Sequence, residues 1–312
     1  MGIMNIQEWL PRIIIVRRLK DLLMYILVER RKFVRPKLKL RYMPFRTHPM
    51  SILEEAVMSK TAVVFSCAHT KPEISNERFT WLAKFLFDIK PDYVVDLGDG
   101  ADMASLNSYD TRKPKAIVSQ SYERDINCYN DAQERLRHEF VRNKKKRPSF
   151  YGFEGNHENR IKTAIAYDPR LEGKKYGISF SHLNTNRWFD EYHEYENSAP
   201  AIYDYDGIDY AHYIGAGNFG RAISGVHHAF ALIQKRYKSA TVGHSHKRGV
   251  YFKDESNSIG LVAGCYKGGD EGWAGQSNGE WWKGVIVKRN IDGTGLYEPQ
   301  FISMKTLEET YG

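Results

Sequence analysis

A chain of 312 residues that is 42% hydrophobic can bury a substantial core, and its 20 Tyr, 15 Phe and 6 Trp exclude a largely disordered polymer. The formal net charge of +8 is localised: residues 1–50 hold 12 Lys or Arg against three acids, Glu8, Asp21 and Glu29, a net of +9 that leaves about −1 on the remainder. A uniformly basic surface is thereby excluded. The positive arm could engage nucleic acid, an anionic membrane surface or an acidic partner, or simply be a solvated extension.

In chain order, the arm contains an apolar stretch from Ile13 to Val28 that is interrupted by Arg17, Arg18, Lys20 and Asp21, so it is a poor membrane span. Ile15, Leu19, Leu22, Leu23, Ile26 and Leu27 recur at helical spacing, which predicts an amphipathic helix that packs on the body or lies on a membrane surface. The organisation expected is a basic, partly helical arm over 1–55 and one catalytic-type domain over 56–312. Thr61 to Ser66 reads as a buried strand, and Phe79, Leu82, Leu86 and Ile89 mark a helix ended by Lys90-Pro91-Asp92. Tyr93 to Leu97 is the next strand, residues 103–118 an irregular insert, and Gln120 to Arg142 a long helix.

Lys144-Lys145-Lys146-Arg147 then forms a second basic cluster, before a strand from Ser149 to Phe153 and a helix from Arg160 to Ala166. Short strands are expected around Ile178-Ser179-Phe180 and Ile202-Tyr203, and another from Ile208 to His212. Val226 to Tyr237 is predicted helical with Val226, Ala229, Phe230 and Ile233 inward. Strands follow at 240–242, 249–252, 260–264 and 284–288, around a Gly- and Trp-rich rim at 267–283. Three cysteines, Cys67, Cys128 and Cys265, form no disulfide framework and suit a reducing, cytoplasmic setting.

One event recurs: a strand, a glycine or small residue, then a ligand-type side chain. It yields Cys67-Ala68-His69, Gly98-Asp99-Gly100-Ala101-Asp102, Gly155-Asn156-His157-Glu158, His212 and Gly243-His244-Ser245-His246. Asp99, Asn156, His69, His212, His244 and His246 make a mixed nitrogen and oxygen donor set that suits Mn, Fe, Zn or Ni better than calcium. Six donors are too many for one tetrahedral zinc, so two divalent metal ions fit the count. His227 and His228 rival His212 for the lone histidine, whereas His182 and His193 match nothing in the pattern.

The ordered segments resemble the calcineurin-like metallophosphoesterase family, whose signature runs Asp-x-His, Gly-Asp-x-x-Asp/Asn, Gly-Asn-His-Asp/Glu, a lone His and Gly-His-x-His. The resemblance covers roughly 61–290, and Cys67 replaces the usual first aspartate. It implies an α/β fold, a layered sandwich of two mixed β-sheets flanked by helices. It further implies that His69, Asp99 and His246, with Cys67, hold one metal, and that Asp99 bridges to a second completed by Asn156, His212 and His244. Glycines 98, 155 and 243 would allow the tight turns.

The implied activity is phosphoester hydrolysis by a hydroxide bridging the two ions, with His157 protonating the leaving oxygen. Glu158 would orient His157, Asp102 would organise the loops or His157, and Arg160 is either a phosphate contact or a surface arginine. A thiolate at Cys67 could ligate and favour a thiophilic ion such as zinc over manganese; a weakened first site and a buried non-ligand cysteine are the other two readings. The arm, the 144–147 cluster and Trp273, Trp281 and Trp282 favour a phosphodiester substrate and, within that class, nucleic acid. The alternatives are a small-molecule phosphomonoesterase and a non-catalytic nucleic-acid- or protein-binding module on a degenerate scaffold.

Overall fold

The computed structural model describes residues 59–107, 120–143, 146–272 and 274–312. The arm 1–55 with its amphipathic stretch, most of the 103–118 insert, Lys144, Lys145 and Trp273 lie outside the described residues.

Period-two alternation builds the first strand. In β1 (Lys60–Phe65), Val63 and Phe65 enter one buried cluster while Ala62 and Val64 enter another, as in a strand covered on both faces. Parallel to it in succession run β2 (Tyr93–Asp96), β3 (Ser149–Phe153) and β4 (Glu191–His193). On its other side β12 (Gly284–Ile291) runs antiparallel to β1, and β13 (Glu298–Ser303) antiparallel to β12, giving a mixed six-stranded sheet in the order β13-β12-β1-β2-β3-β4.

The second sheet is also mixed. It is formed by β5 (Tyr203–Tyr205), β6 (Ile208–Ala211), β9 (Ala240–Val242), β10 (Arg248–Lys253) and β11 (Ser258–Ala263), in the order β10-β11-β9-β6-β5. Two short strands, β7 (Gly215–Ala216) and β8 (Arg221–Ala222), pair separately.

Packing orders these elements into layers. Leu82 and Leu86 of α1 (Glu77–Ile89), and Ile126, Tyr129 and Leu136 of α2 (Tyr122–Asn143), share a core with Val63 and Phe65 on one face of the first sheet. The opposite face contributes Val64, Val95 and Ile286, which meet Tyr210, Ile259 and Leu261 of the second sheet. Two shorter helices, α3 (Asn159–Tyr167) and the single turn α4 (Thr185–Trp188), follow β3. On the far side of the second sheet lies α5 (His228–Arg236), with Ala229 and Leu232 against Val242 and Val262. The chain ends in α6 (Met304–Tyr311), whose Leu307 joins the first core. The architecture is the expected sandwich of two mixed sheets flanked by helices, and no helix among the described residues is long and apolar enough to cross a membrane.

Several expectations are corrected. Phe180–Leu183 is a 3₁₀ turn, not a strand, because the Ser179 side chain accepts from the Ser181 amide and starts a helical turn. In α5 the inward face is Ala229, Leu232 and Ile233; Val226 precedes the helix and is 92% exposed, and Phe230 is 41% exposed. Arg147 is held in a two-pronged ion pair by Asp190, so it is not free for an anionic ligand.

Between the sheets stands Lys288 of β12, fully buried and donating to Tyr210 OH at 3.1 Å and Thr241 Oγ1 at 2.6 Å. Burial pushes its pKa well below the ordinary lysine value. The unfolded chain therefore binds one more proton than the native one between the native pKa and the unfolded value, and stability rises with pH across that window by at most about 1.4 kcal/mol per pH unit. Lys288→Met is expected to flatten this slope. Urea denaturation at several pH values checks it; a variant with an unchanged slope would contradict the assignment.

Candidate metal centre

Five of the parallel strands deliver polar residues at their carboxyl ends, where functional groups collect in α/β sheets. Cys67 and His69 follow β1, Asp99 follows β2, Asn156 and His157 follow β3, His212 follows β6, and His244 and His246 follow β9. The Ala211–Val242 pairing sets His212 beside His244. Five of these residues, Cys67, His69, Asp99, His244 and His246, have φ between 43° and 64°, a left-handed conformation that costs a non-glycine side chain about 1–2 kcal/mol. Such strain survives only where surrounding contacts over-determine it.

Two glycines let the β2 and β3 loops touch. Gly98 has φ +90°, and a Cβ there would meet the Gly155 nitrogen at 2.6 Å; a Cβ on Gly155 would meet the Asp99 nitrogen at 2.2 Å. Glu158 then ties the loops together. Its carboxylate accepts from the amides of Asp99, Ala101 and Gly155, although burial and the Asp99 charge push its pKa up to about 7.

Asp99 is the hub. Its Oδ2 lies 3.2 Å from His212 Nε2 and 3.7 Å from His69 Nε2, while Oδ1 accepts the His157 amide. Burial alone would raise the Asp99 carboxyl, but His212, His157 and His69 hold it well below the usual carboxylate range. His212 Nε2 is also 3.1 Å from Asn156 Oδ1 and from His244 Nδ1. His69, Cys67 and His246 converge on the other side, with the rings of His69 and His246 edge to face at 5.1 Å.

Tautomers follow from the outer partners. His212 Nδ1 sits 2.8 Å from the Leu97 carbonyl and must donate, which leaves Nε2 as the nitrogen that faces Asp99. His69 Nδ1 donates to Asp102 Oδ1 at 2.9 Å, and its Nε2 is buried with no hydrogen-bond partner among the described residues. Burial lowers the pKa of His69 and His244 to about 4 and of His246 to about 2, so these imidazoles are neutral at pH 7. His212 differs: burial opposes its charge, but Asp99 overrides this and raises its pKa.

These residues fit divalent cations. An orphaned buried nitrogen costs about 1–3 kcal/mol, and a ligated ion would satisfy it. Donor atoms of Cys67, His69 and His246, and of Cys67, Asp99 and His212, lie within 4.8 Å of one another in each group. Cys67 therefore faces both groups. Its Sγ accepts the His244 amide at 3.2 Å and lies 3.0 Å from Ser66 Oγ, and burial followed by the Asp99 charge pushes its thiol pKa well up. An ion bound there would have to displace the thiol proton.

Beside the donors, His157 Nδ1 is 2.8 Å from the Asp102 carbonyl and 3.2 Å from Asp102 Oδ1. Asp102, not Glu158, is thus the group on the His157 ring. Burial would raise the Asp102 carboxyl, but His157 and His69 hold it far below its ordinary value. Arg160 donates to the carbonyls of Asp102 and Met103, and its guanidinium lies 3.3 Å from His157 Nε2.

His182 contacts Tyr122, and His193 stacks on Tyr203, both away from the cluster. Of the two rivals to His212, exposed His227 precedes α5, and His228 touches Ser245. Sequence reasoning missed Lys267, which is buried, paired with Glu271 at 2.6 Å and 4.8 Å from the Trp281 ring, itself edge-on to His246 at 4.6 Å. A lone lysine in a Gly-rich stretch carries no spacing signal that could have found it.

No protein-family model and no curated protein matches the chain. Among solved structures it is similar to a dimetal phosphatase from Danio rerio, at 9% identity over 79% of this chain and 96% of that one, with a TM-score of 0.40. It is also similar to an archaeal phosphodiesterase, at 10% identity over 78% and 99% of the two chains, with a TM-score of 0.36. A third is a predicted phosphoesterase from Streptococcus pneumoniae TIGR4, at 10% identity over 80% and 92%, with a TM-score of 0.31.

Proposed function

We propose that the chain hydrolyses phosphodiesters with two divalent metal ions held by the strand-end residues. The observation that carries this reading is Asp99, whose carboxylate stands between His69 and His212 with Cys67 within reach of both donor groups. His69, His246, Cys67 and Asp99 would hold one ion, and Asp99, Asn156, His212 and His244 the other. Bound there, the ions would supply charge to polarise the phosphoryl oxygens and lower the pKa of a water.

The remaining work falls to this chain's own groups. Asp102 fixes the His157 ring by accepting from Nδ1, which leaves Nε2 as the position that can carry a proton to the leaving oxygen. Water supplies the new P–O bond and gives up a proton, the bond to the leaving oxygen breaks, the Nε2 proton goes to that oxygen, and the proton lost by the water restores His157 through solvent. Arg160, anchored on two carbonyls beside Nε2, adds positive charge where the phosphoryl group would sit. Nucleic acid is the preferred subtype because of the basic arm.

The test is metal analysis joined to an assay. Protein equilibrated with Mn, Zn or Ni is expected to retain two ions per chain and to hydrolyse bis(p-nitrophenyl) phosphate. Retention of no ion, with no turnover of any phosphoester under all three metals, would sink the reading.

A further inference from the structure

A cleft of about 640 Å³ adjoins the metal centre, and the proposed activity uses none of it. That size suits a small organic ligand, for which sites span about 300–1,000 Å³. Its wall includes the start of α5, from Gly225 to Phe230, the first residues of β10 and the segment 279–282. Two contacts link it to the centre. Trp281 lines the cleft and stands edge-on to His246, and His228 Nδ1 lies 3.3 Å from the hydroxyl of Ser245, the residue between His244 and His246.

The wall has two chemical characters. One is anion-attracting: α5 has nine residues, and its cap residue His227 makes no side-chain hydrogen bond to the first turn. The positive end of the helix therefore lies on the cleft wall, with no side chain of its cap residue on the first-turn amides. Beside it His228, only 4% exposed, lines the cleft with a buried Nε2 that has no partner among the described residues. Of the charged side chains on the wall, Lys247 and Glu280 pair at 2.6 Å, which leaves Arg248 as the net charge. The other character is aromatic: Trp281, Trp282, Tyr251 and Phe230 line the same space, and Phe230 and Tyr251 are partly exposed.

We infer that this cleft binds a nucleoside monophosphate group, its phosphate at the α5 amino end and its planar base against the aromatic wall. The inference deepens the phosphodiesterase reading, on which it rests for its role: the cleft would hold the nucleotide portion of the diester beyond the scissile bond. Stacking on aromatic rings tolerates any base, so the cleft selects for a planar ring with a phosphate and not for one sequence.

Binding of AMP to the full chain in EDTA, followed by calorimetry, tests the cleft without the metals. Val226, exposed and just before α5, allows a change that does not endanger the fold, because an acid there favours the helix. Val226→Glu is expected to weaken AMP about tenfold and Val226→Lys to tighten it. Inorganic phosphate and adenosine, each carrying half of the ligand, should both bind at least about tenfold more weakly than AMP.

No binding of AMP at millimolar concentration, equal affinity in all three proteins, or phosphate binding as well as AMP would overturn the inference. The two proposals fail separately. Hydrolysis of bis(p-nitrophenyl) phosphate without Val226-sensitive AMP binding removes the cleft and keeps the phosphodiesterase. AMP binding with the expected Val226 dependence, in a protein that never hydrolyses a diester, keeps a nucleotide site and removes the enzyme.

Discussion

Alanine at His157 is expected to lower kcat on a phosphodiester by about 10²–10⁴-fold, the range of a positioned general acid, without lowering the metal content. Its Nδ1 is committed to Asp102, so only Nε2 remains to serve a substrate, and the ring stands outside the two donor groups centred on Cys67. The size of the loss should depend on the leaving group. A p-nitrophenolate leaves without a proton and should lose least, whereas an alkoxide needs one and should lose most. Steady-state kinetics with both substrates, joined to metal analysis, checks this. A variant that loses bound metal along with activity would make His157 a ligand instead, and an equal loss on both substrates would remove its role as an acid.

Cys67→Asp is the second large effect. A Cys67 thiolate on the metal would favour zinc over manganese, and an oxygen donor in its place should reverse the order. The His244 amide and the Ser66 hydroxyl lie beside Sγ and could donate to a carboxylate there. Loss of an outer-shell partner alone costs about 10–100-fold in metal affinity. The ratio of zinc to manganese affinity is therefore expected to fall by at least that factor, and Cys67→Ala should weaken both metals. Isothermal titration with each ion measures it. An unchanged ratio in Cys67→Asp would show that the sulfur does not ligate.

The parts of this site that could be read from sequence are those in which a residue type and its position carry the same message. A buried strand followed by glycine and a ligand-type residue places Asp99, Asn156, His157, His244 and His246 at strand ends, and the structure brings them together. Apolar spacing predicted α5 and placed Ala229 and Ile233 inward correctly, but it also placed Val226 and Phe230 there, because both fit a helical stripe whether or not anything covers them. The strand Glu191–His193 escaped notice: three polar-flanked residues show no alternation long enough to detect. Left-handed backbone at His69 and Asp99 was equally invisible, since neither is glycine and the conformation is imposed by contacts between loops distant in sequence. The orientation of His157 by Asp102 had only the spacing of two motifs to suggest it, and Glu158 stood nearer in the chain.

Asp99 and Cys67 each stand within reach of both donor groups. In the proposed two-metal centre, occupancy of one group would fix the carboxylate and remove the thiol proton on behalf of the other, so the two ions would be thermodynamically linked and each would alter the affinity of its neighbour by the same factor. Where that shared preparation outweighs the repulsion between the two cations, the centre would load as one unit, and a partly loaded protein would be a mixture of full and empty molecules more than a population with one ion each.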